Sequence, residues 1–417
     1  MPNAVSRADR PANHLLKLLI FLMFAMFAMT TDAVGTVIPE VIREFDLGLT
    51  AGGSFQYATM SGIGVAAISL GFLADRIGRK WTILLGLMLF GVGSGLFAAG
   101  HSMAFFVVLL FFSGLGIGIF KSGALALIGD LTSSTREHAA TMNLVEGFFG
   151  VGAIVGPALV AFLLQQQTSW KWIYLIAAML CAALLIGIAL ARFPAPVREQ
   201  AQPADPRDAM RMMGEPTAWF FSIALMLYVG AEAAIYVWVP TYLAGYSGPF
   251  PWLALYAVSV FFVLRALGRF LGAWLLSRLD WSVVLLVCTF GMTVLFWMAL
   301  AGGPEIAVFA LPATGLFMSV LYPTINSTGI SCYEKSRHGS IAGLLLFYTC
   351  VSAVLAPLAM ALLGDWLGDS GYSILLGALF ATVLTGLCLW NWRRAPFAAR
   401  LLARNQADYS RAPENPC

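Results

Sequence analysis

The chain has 417 residues, 60% of them hydrophobic and 11% charged, with a formal net charge of +3 and a mean hydropathy of +0.83. A soluble domain carries about 25% charged residues, so the composition excludes a soluble globular protein and points to an integral membrane protein. The 41 glycines fit the enrichment of Gly in membrane-spanning helices, and the basic residues fall in loops, which gives no argument for nucleic-acid binding. The six cysteines (Cys181, Cys288, Cys332, Cys350, Cys388 and Cys417) show no metal-ligand spacing, so free thiols are expected, with neither a metal nor a cofactor.

Arg7, Arg10, His14 and Lys17 precede a long apolar run that lacks a small-residue cleavage site, so this run reads as a retained first helix rather than a signal peptide. A bilayer core of about 30 Å needs about 20 apolar residues. Twelve such spans are predicted near 15–38, 54–74, 81–100, 104–128, 139–164, 171–191, 217–243, 253–276, 283–302, 306–330, 339–363 and 372–391. The segment Arg192 to Glu215, with Pro194, Pro196, Pro203 and Pro206 among charges, reads as a linker. It divides the chain into a six-helix bundle over 1–191, the linker over 192–215, a second bundle over 216–391 and a basic, Pro-containing tail over 392–417 that is expected to be disordered.

Lys and Arg collect in cytoplasmic loops. With the N-terminus inside, Arg43 and the boundary residue Lys171 are the basic residues left on the outer side, whereas Arg76, Arg79, Lys80, Arg136, Arg278, Arg337 and the tail arginines fall inside. Both termini are therefore expected in the cytoplasm, in a multi-pass protein of the cytoplasmic membrane, and a monomer is expected.

The two halves echo one another. Asp32 in the first span and Glu232 in the seventh lie 200 positions apart, each followed by a proline, Pro39 and Pro240. Gly156-Pro157 in the fifth span matches Ala356-Pro357 in the eleventh at the same offset, and Gly272 to Arg278 weakly repeats the loop that begins at Gly71. Internal duplication with binding between the repeats is a recurring plan of secondary transporters.

Charges inside a membrane are costly and mark pathways or pairs. Asp32, Lys121, Glu146, Glu232 and Arg265 are the deep ones, with Arg269 one turn beyond Arg265. Depth suggests Lys121 with Glu146 and Glu232 with Arg265, which leaves Asp32 unmatched. A carboxylate taken out of water holds its proton more readily, so Asp32 is a candidate proton carrier, with Glu232 and Glu146 as further candidates; the alternative for Asp32 is a packing role beside Thr30 and Thr31. Glu232 shares a helical stripe with Tyr228 and Tyr236, a candidate surface for a hydroxylated ring. Asn143, Glu146, Gly147 and Gly150 form a polar, small face that either lines a cavity or packs a helix. Tyr322 and Asn326 interrupt the tenth span beside Pro323. If Lys121 is unpaired, it would attract an anionic group.

Between the second and third spans stands Gly71-Phe72-Leu73-Ala74-Asp75-Arg76-Ile77-Gly78-Arg79-Lys80. This string resembles the loop signature of the major facilitator superfamily at every defining position. The resemblance implies twelve transmembrane helices in two pseudo-symmetric bundles, a cavity lined by the first, fourth, seventh and tenth spans, and alternating access. Asp75, Arg76 and Arg79, with Gly71, Gly78 and Lys80, then read as a gating loop. Tyr228 to Glu232, Trp238, Tyr242 and Tyr322-Pro323-Thr324 are similar to the fucose and glucose/galactose permease group, which implies proton-linked or cation-linked uptake of a sugar. That group's pattern has an acid on the fourth span where this chain has Lys121, which favours a sugar acid or other organic anion. Aromatic-acid symport and drug efflux remain alternatives within the superfamily. A membrane enzyme or receptor finds no support, because no nucleophile motif, nucleotide loop or appended soluble domain is present.

Overall fold

The computed structural model describes residues 10–70, 73–132, 135–191, 193, 211–334 and 337–409, and among these it is helical with no strand. Ten helical stretches are long and apolar enough to cross a membrane. Trp281–Ser331 contains two spans, parted at Gly303 where φ is 62° and ψ is −163°, and Ser54–Ser69, at 16 residues, is a further span too short to be among the ten. Twelve spans result, and an even number puts both chain ends on one face, called here the terminal face.

The first span is longer than its apolar run suggests and is broken. Helix Arg10–Thr31 stops, Asp32 and Ala33 form a turn, and helix Val34–Phe45 continues. The seventh span is irregular at the matching place: Pro216–Ala233 is α-helical, Ala234–Trp238 is a π turn, and Val239–Tyr242 resumes the α-helix. The tenth span breaks at Ser319 and Val320 before Leu321–Ser331. Broken or π-bulged helices recur at functional sites because they free backbone groups and re-aim side chains.

Within each half, glycines let helices approach closely. An added Cβ at Gly152 would lie 2.0 Å from the Ala25 carbonyl oxygen, and one at Gly156 2.1 Å from that of Met29. These fifth-span glycines thus seat the fifth span on the first.

Between the halves, hydrogen bonds gather towards the face opposite the termini. Gln56 Nε2 donates to the Tyr236 hydroxyl at 3.1 Å, and the Pro357 carbonyl accepts across the seam from Tyr57 (3.3 Å) while also holding the Trp238 indole of its own half (3.2 Å). Asp365, at the end of the eleventh span, accepts from the backbone N–H groups of Leu49 (2.7 Å) and Thr50 (2.8 Å) at the start of the second. Tyr256 donates to Gln165, and Ser259 to the Ile154 carbonyl. On the terminal face each half has an ion pair of its own. Lys17 pairs with Glu137 at 2.7 Å, while Arg337 pairs with Glu215 at 3.2 Å, the same arrangement in the second repeat with the charges exchanged. The seam is shut on the face opposite the termini.

Asp365→Asn should loosen that shut side. A charged acceptor on two N–H groups is a strong contact, but solvent exposure reduces it, so a loss of about 1 kcal/mol is expected, about a fivefold change in the closed-to-open ratio. The check is labelling of a Thr36→Cys reporter by a membrane-impermeant thiol reagent; an unchanged rate in the Asp365→Asn background would count against a latch.

One expectation needs correction here. The tail is ordered as far as Tyr409: Ala395 turns the chain with φ of 43°, Phe397 is buried against Phe220 and Phe221, and helix Ala398–Tyr409 follows, with Arg400 donating to Thr217 at 2.9 Å. A single aromatic anchor, too short to register as a hydrophobic period, docks it. The linker over 192–215 lies largely outside the described residues, as do Gly71 and the side chain of Asp75.

Candidate functional site

The deep polar residues of the first, fourth, seventh and tenth spans converge between the halves. Asp32, placed at the break of the first span, has its N–H bonded to the Ala28 carbonyl and its carboxylate bonded by the Thr31 hydroxyl at 3.1 Å. Arg265, Glu232 and Lys121 lie within electrostatic reach of it. Glu232 is buried and forms a close ion pair with Arg265, as depth suggested. Such a pair persists in low dielectric because each charge compensates the desolvation of the other.

Lys121 does not pair with Glu146. Its ammonium stands 5.5 Å from the centroid of the Phe149 ring, and it lies near Cys350 of the eleventh span. Glu146 instead turns to the other half, where Arg269 comes to 4.0 Å, and both side chains are largely exposed. The expected pair fails because Lys121 and Glu146 match in depth while their helices are rotated to different neighbours. Asn143 is exposed beside Glu146, and a Cβ added at Gly147 or Gly150 would meet nothing within 4 Å. That face of the fifth span lines open space and does not pack a helix.

The tyrosine stripe is another correction. Tyr228 is fully buried and donates to the Met318 carbonyl at 3.3 Å, and Tyr236 is buried in the seam with Gln56. Their ring faces are not offered to a ligand in this state. The π turn inserts an extra residue after Glu232, so Tyr236 and Trp238 are swung towards the first half and Trp238 becomes a seam residue at 1% exposure. Tyr322 stays with the central cluster, its ring centroid 6.0 Å from that of Tyr228, and Asn326 lies one turn nearer the terminal face, half-buried.

Gln56 and Phe149 escaped the sequence reading. Gln56 is buried in the second span, and a single glutamine there carries no period or motif that would single it out. Phe149 lies three residues after Glu146 on the fifth span, so its ring could have been placed beside that polar face, though its contact with Lys121 could not.

In the loop, Gly78 has φ of +85°, a conformation a side chain would strain, and the turn it makes lets Arg79 reach back. Arg79 Nε donates to Asp130 at 3.0 Å and Nη1 to the Ala74 carbonyl at 2.8 Å, while Lys80 donates to the Ala189 carbonyl at 2.7 Å. In this state Arg79 and Lys80 therefore tie together elements of the first half, with Arg76 exposed nearby.

Residues 20–357, most of the chain, match the profile of the Major Facilitator Superfamily. The chain belongs to the Major Facilitator Superfamily. It is accordingly a multi-pass membrane transporter and not an enzyme. Similar proteins of this superfamily include a glucose/galactose transporter of Brucella abortus, 24% identical over 353 residues that cover 80% of this chain and 83% of the relative. The L-fucose-proton symporter of Escherichia coli K12 is 25% identical over 388 residues, covering 84% and 86%. Among solved structures, the Major Facilitator Superfamily transporter FucP in the outward conformation superposes with a TM-score of 0.63 at 22% identity, over 91% of this chain and 99% of that one. The nucleoside transporter NupG gives a TM-score of 0.74 at 14% identity, over 93% and 99%. At these identities the superpositions establish the superfamily fold.

Proposed function

We propose that this superfamily member takes up a small hydroxylated solute, a sugar or sugar acid, together with a proton, across the cytoplasmic membrane by alternating access. The observation that supports it is the convergence of Asp32, Lys121, Glu232 and Tyr322 between two halves that are sealed on the face opposite the termini. The terminal face is the cytoplasmic one by the asymmetry of Lys and Arg, so the state described is closed outside. The similar proteins named for glucose, galactose and fucose support a sugar-like solute, and Asp32, held by Thr31 but in no ion pair among the described residues, is the proton's site. Glu232 is spoken for by Arg265 and takes the smaller part.

A ligand that binds only the folded protein raises its stability, by about 2.7 kcal/mol at a hundred times its Kd. In a thermal-shift screen of the purified protein, stabilisation by neutral sugars or sugar acids is the expected result. Stabilisation by aromatic acids alone would replace this reading with aromatic-acid symport.

A further inference from the structure

We propose that the solute is a monoanion, a sugar acid or another hydroxylated carboxylate held by Lys121, and that it crosses with one proton in an electroneutral cycle. This rests on the transport reading above and adds the charge of the solute and the origin of coupling.

The argument is a count of charges. Six ionisable groups surround the centre of the molecule. Glu232 and Arg265 form a close ion pair, and Glu146 and Arg269 face each other at 4.0 Å across the halves. Each of these couples sums to zero. Asp32 and Lys121 remain, and among the described residues neither is in an ion pair. The carboxylate of Asp32 has the Thr31 hydroxyl, and the ammonium of Lys121 has the face of Phe149. An aromatic face attracts an ammonium more weakly than a carboxylate does. The geometry therefore leaves one cation on the fourth span available to an anion, with an aromatic ring beside it against which the C–H face of a sugar ring can lie.

The groups that act on Asp32 are Arg265, Glu232 and Lys121, and the field of Asp32 reaches Tyr236. Since the Glu232–Arg265 pair is neutral, the net charge at the centre is set by Asp32 and Lys121. In the empty carrier their charges cancel. When a proton from water has bound a carboxylate oxygen of Asp32 and an anion has bound Lys121, they cancel again. With the proton alone the centre is positive, and with the anion alone it is negative. Enclosing an unbalanced charge in low dielectric is costly, so the halves can close over the empty and the doubly loaded centre and resist closing over either half-loaded one. Proton and solute are thereby coupled with no contact between them.

The test uses the full chain reconstituted in liposomes, with D-galacturonate and D-gluconate as anionic probes and D-galactose and L-fucose as neutral ones. Expected is accumulation of an anionic probe under a pH gradient, alkaline inside, at a rate unchanged when an inside-negative potential is imposed with potassium and valinomycin. Lys121→Gln should weaken binding of that probe about tenfold or more, Lys121→Arg should keep most of it, and the melting temperature without ligand should be the same in all three proteins. The wild-type measurement of voltage dependence stands even if the variants fold poorly. Proton-driven accumulation of a neutral sugar, faster at inside-negative potential and untouched by Lys121→Gln, would overturn the monoanion while leaving proton-coupled sugar uptake intact. Uptake of every probe without response to the pH gradient would overturn both.

Discussion

Asp32→Asn is expected to abolish accumulation of the solute against its gradient while leaving counterflow exchange in place. Asparagine resembles the protonated carboxyl in size and lacks its charge, so the variant stays in the proton-loaded condition with no proton to release. Exchange of labelled for unlabelled solute needs no net proton movement and survives. A gradient of one pH unit is worth about 1.4 kcal/mol and supports about tenfold accumulation in a one-to-one symporter; the variant should equilibrate instead, with a pH dependence flattened between the two sides. Asp32 is suited to this role by its setting. The turn at Asp32 and Ala33 ends the helical ladder of the first span there, and the Thr31 hydroxyl is the hydrogen bond its carboxylate receives. Accumulation by Asp32→Asn at the wild-type level with the wild-type pH profile would place the proton elsewhere.

The second large effect is expected from Gly35→Val. Gly35 lies in the second helix of the first span, where it meets the π turn of the seventh. A Cβ at this position would sit 1.8 Å from the Tyr236 carbonyl oxygen and 2.8 Å from the Val237 Cα, both backbone atoms that cannot rotate away. Any side chain here must hold the halves apart on the outer face, and the branched one most. The variant should fold, since the collision is between halves and not within one, but it should be held with the outer face open. Net uptake should fall by about an order of magnitude or more, because even a few kcal/mol against one state of the cycle changes its population that far. A Thr36→Cys reporter in the outer cavity of about 320 Å³, which Thr36, Pro39, Pro240 and Tyr246 help to line, should react faster with an impermeant thiol reagent. Transport at the wild-type rate by Gly35→Ala, the mildest form of the change, would sink the account of the seam as a moving contact.

The membrane class, the twelve spans, the duplication and the Gly71 loop were legible in the sequence, because hydropathy, charge and spacing are local properties that a bilayer reads one segment at a time. The acids Asp32 and Glu232 were legible for a related reason: a charge in an apolar run stands out wherever its helix later points. The Glu232–Arg265 pair followed from depth, but depth also suggested Lys121 with Glu146, and there it failed. Depth is fixed by position along a helix, whereas partnership depends on rotation, and each residue turns the helix by about 100°. The π turn over Ala234–Trp238 adds such a rotation, which buries Tyr236 and Trp238 in the seam and takes them out of the cavity wall. Nothing in the run Ala234-Ile235-Tyr236-Val237-Trp238 announces it, because it is stabilised by what the turn packs against, the backbone of Gly35 and the side chain of Gln56. Which face is sealed, and which charges are left over once the pairs have formed, are properties of two bundles in contact, and only the tertiary structure decides them.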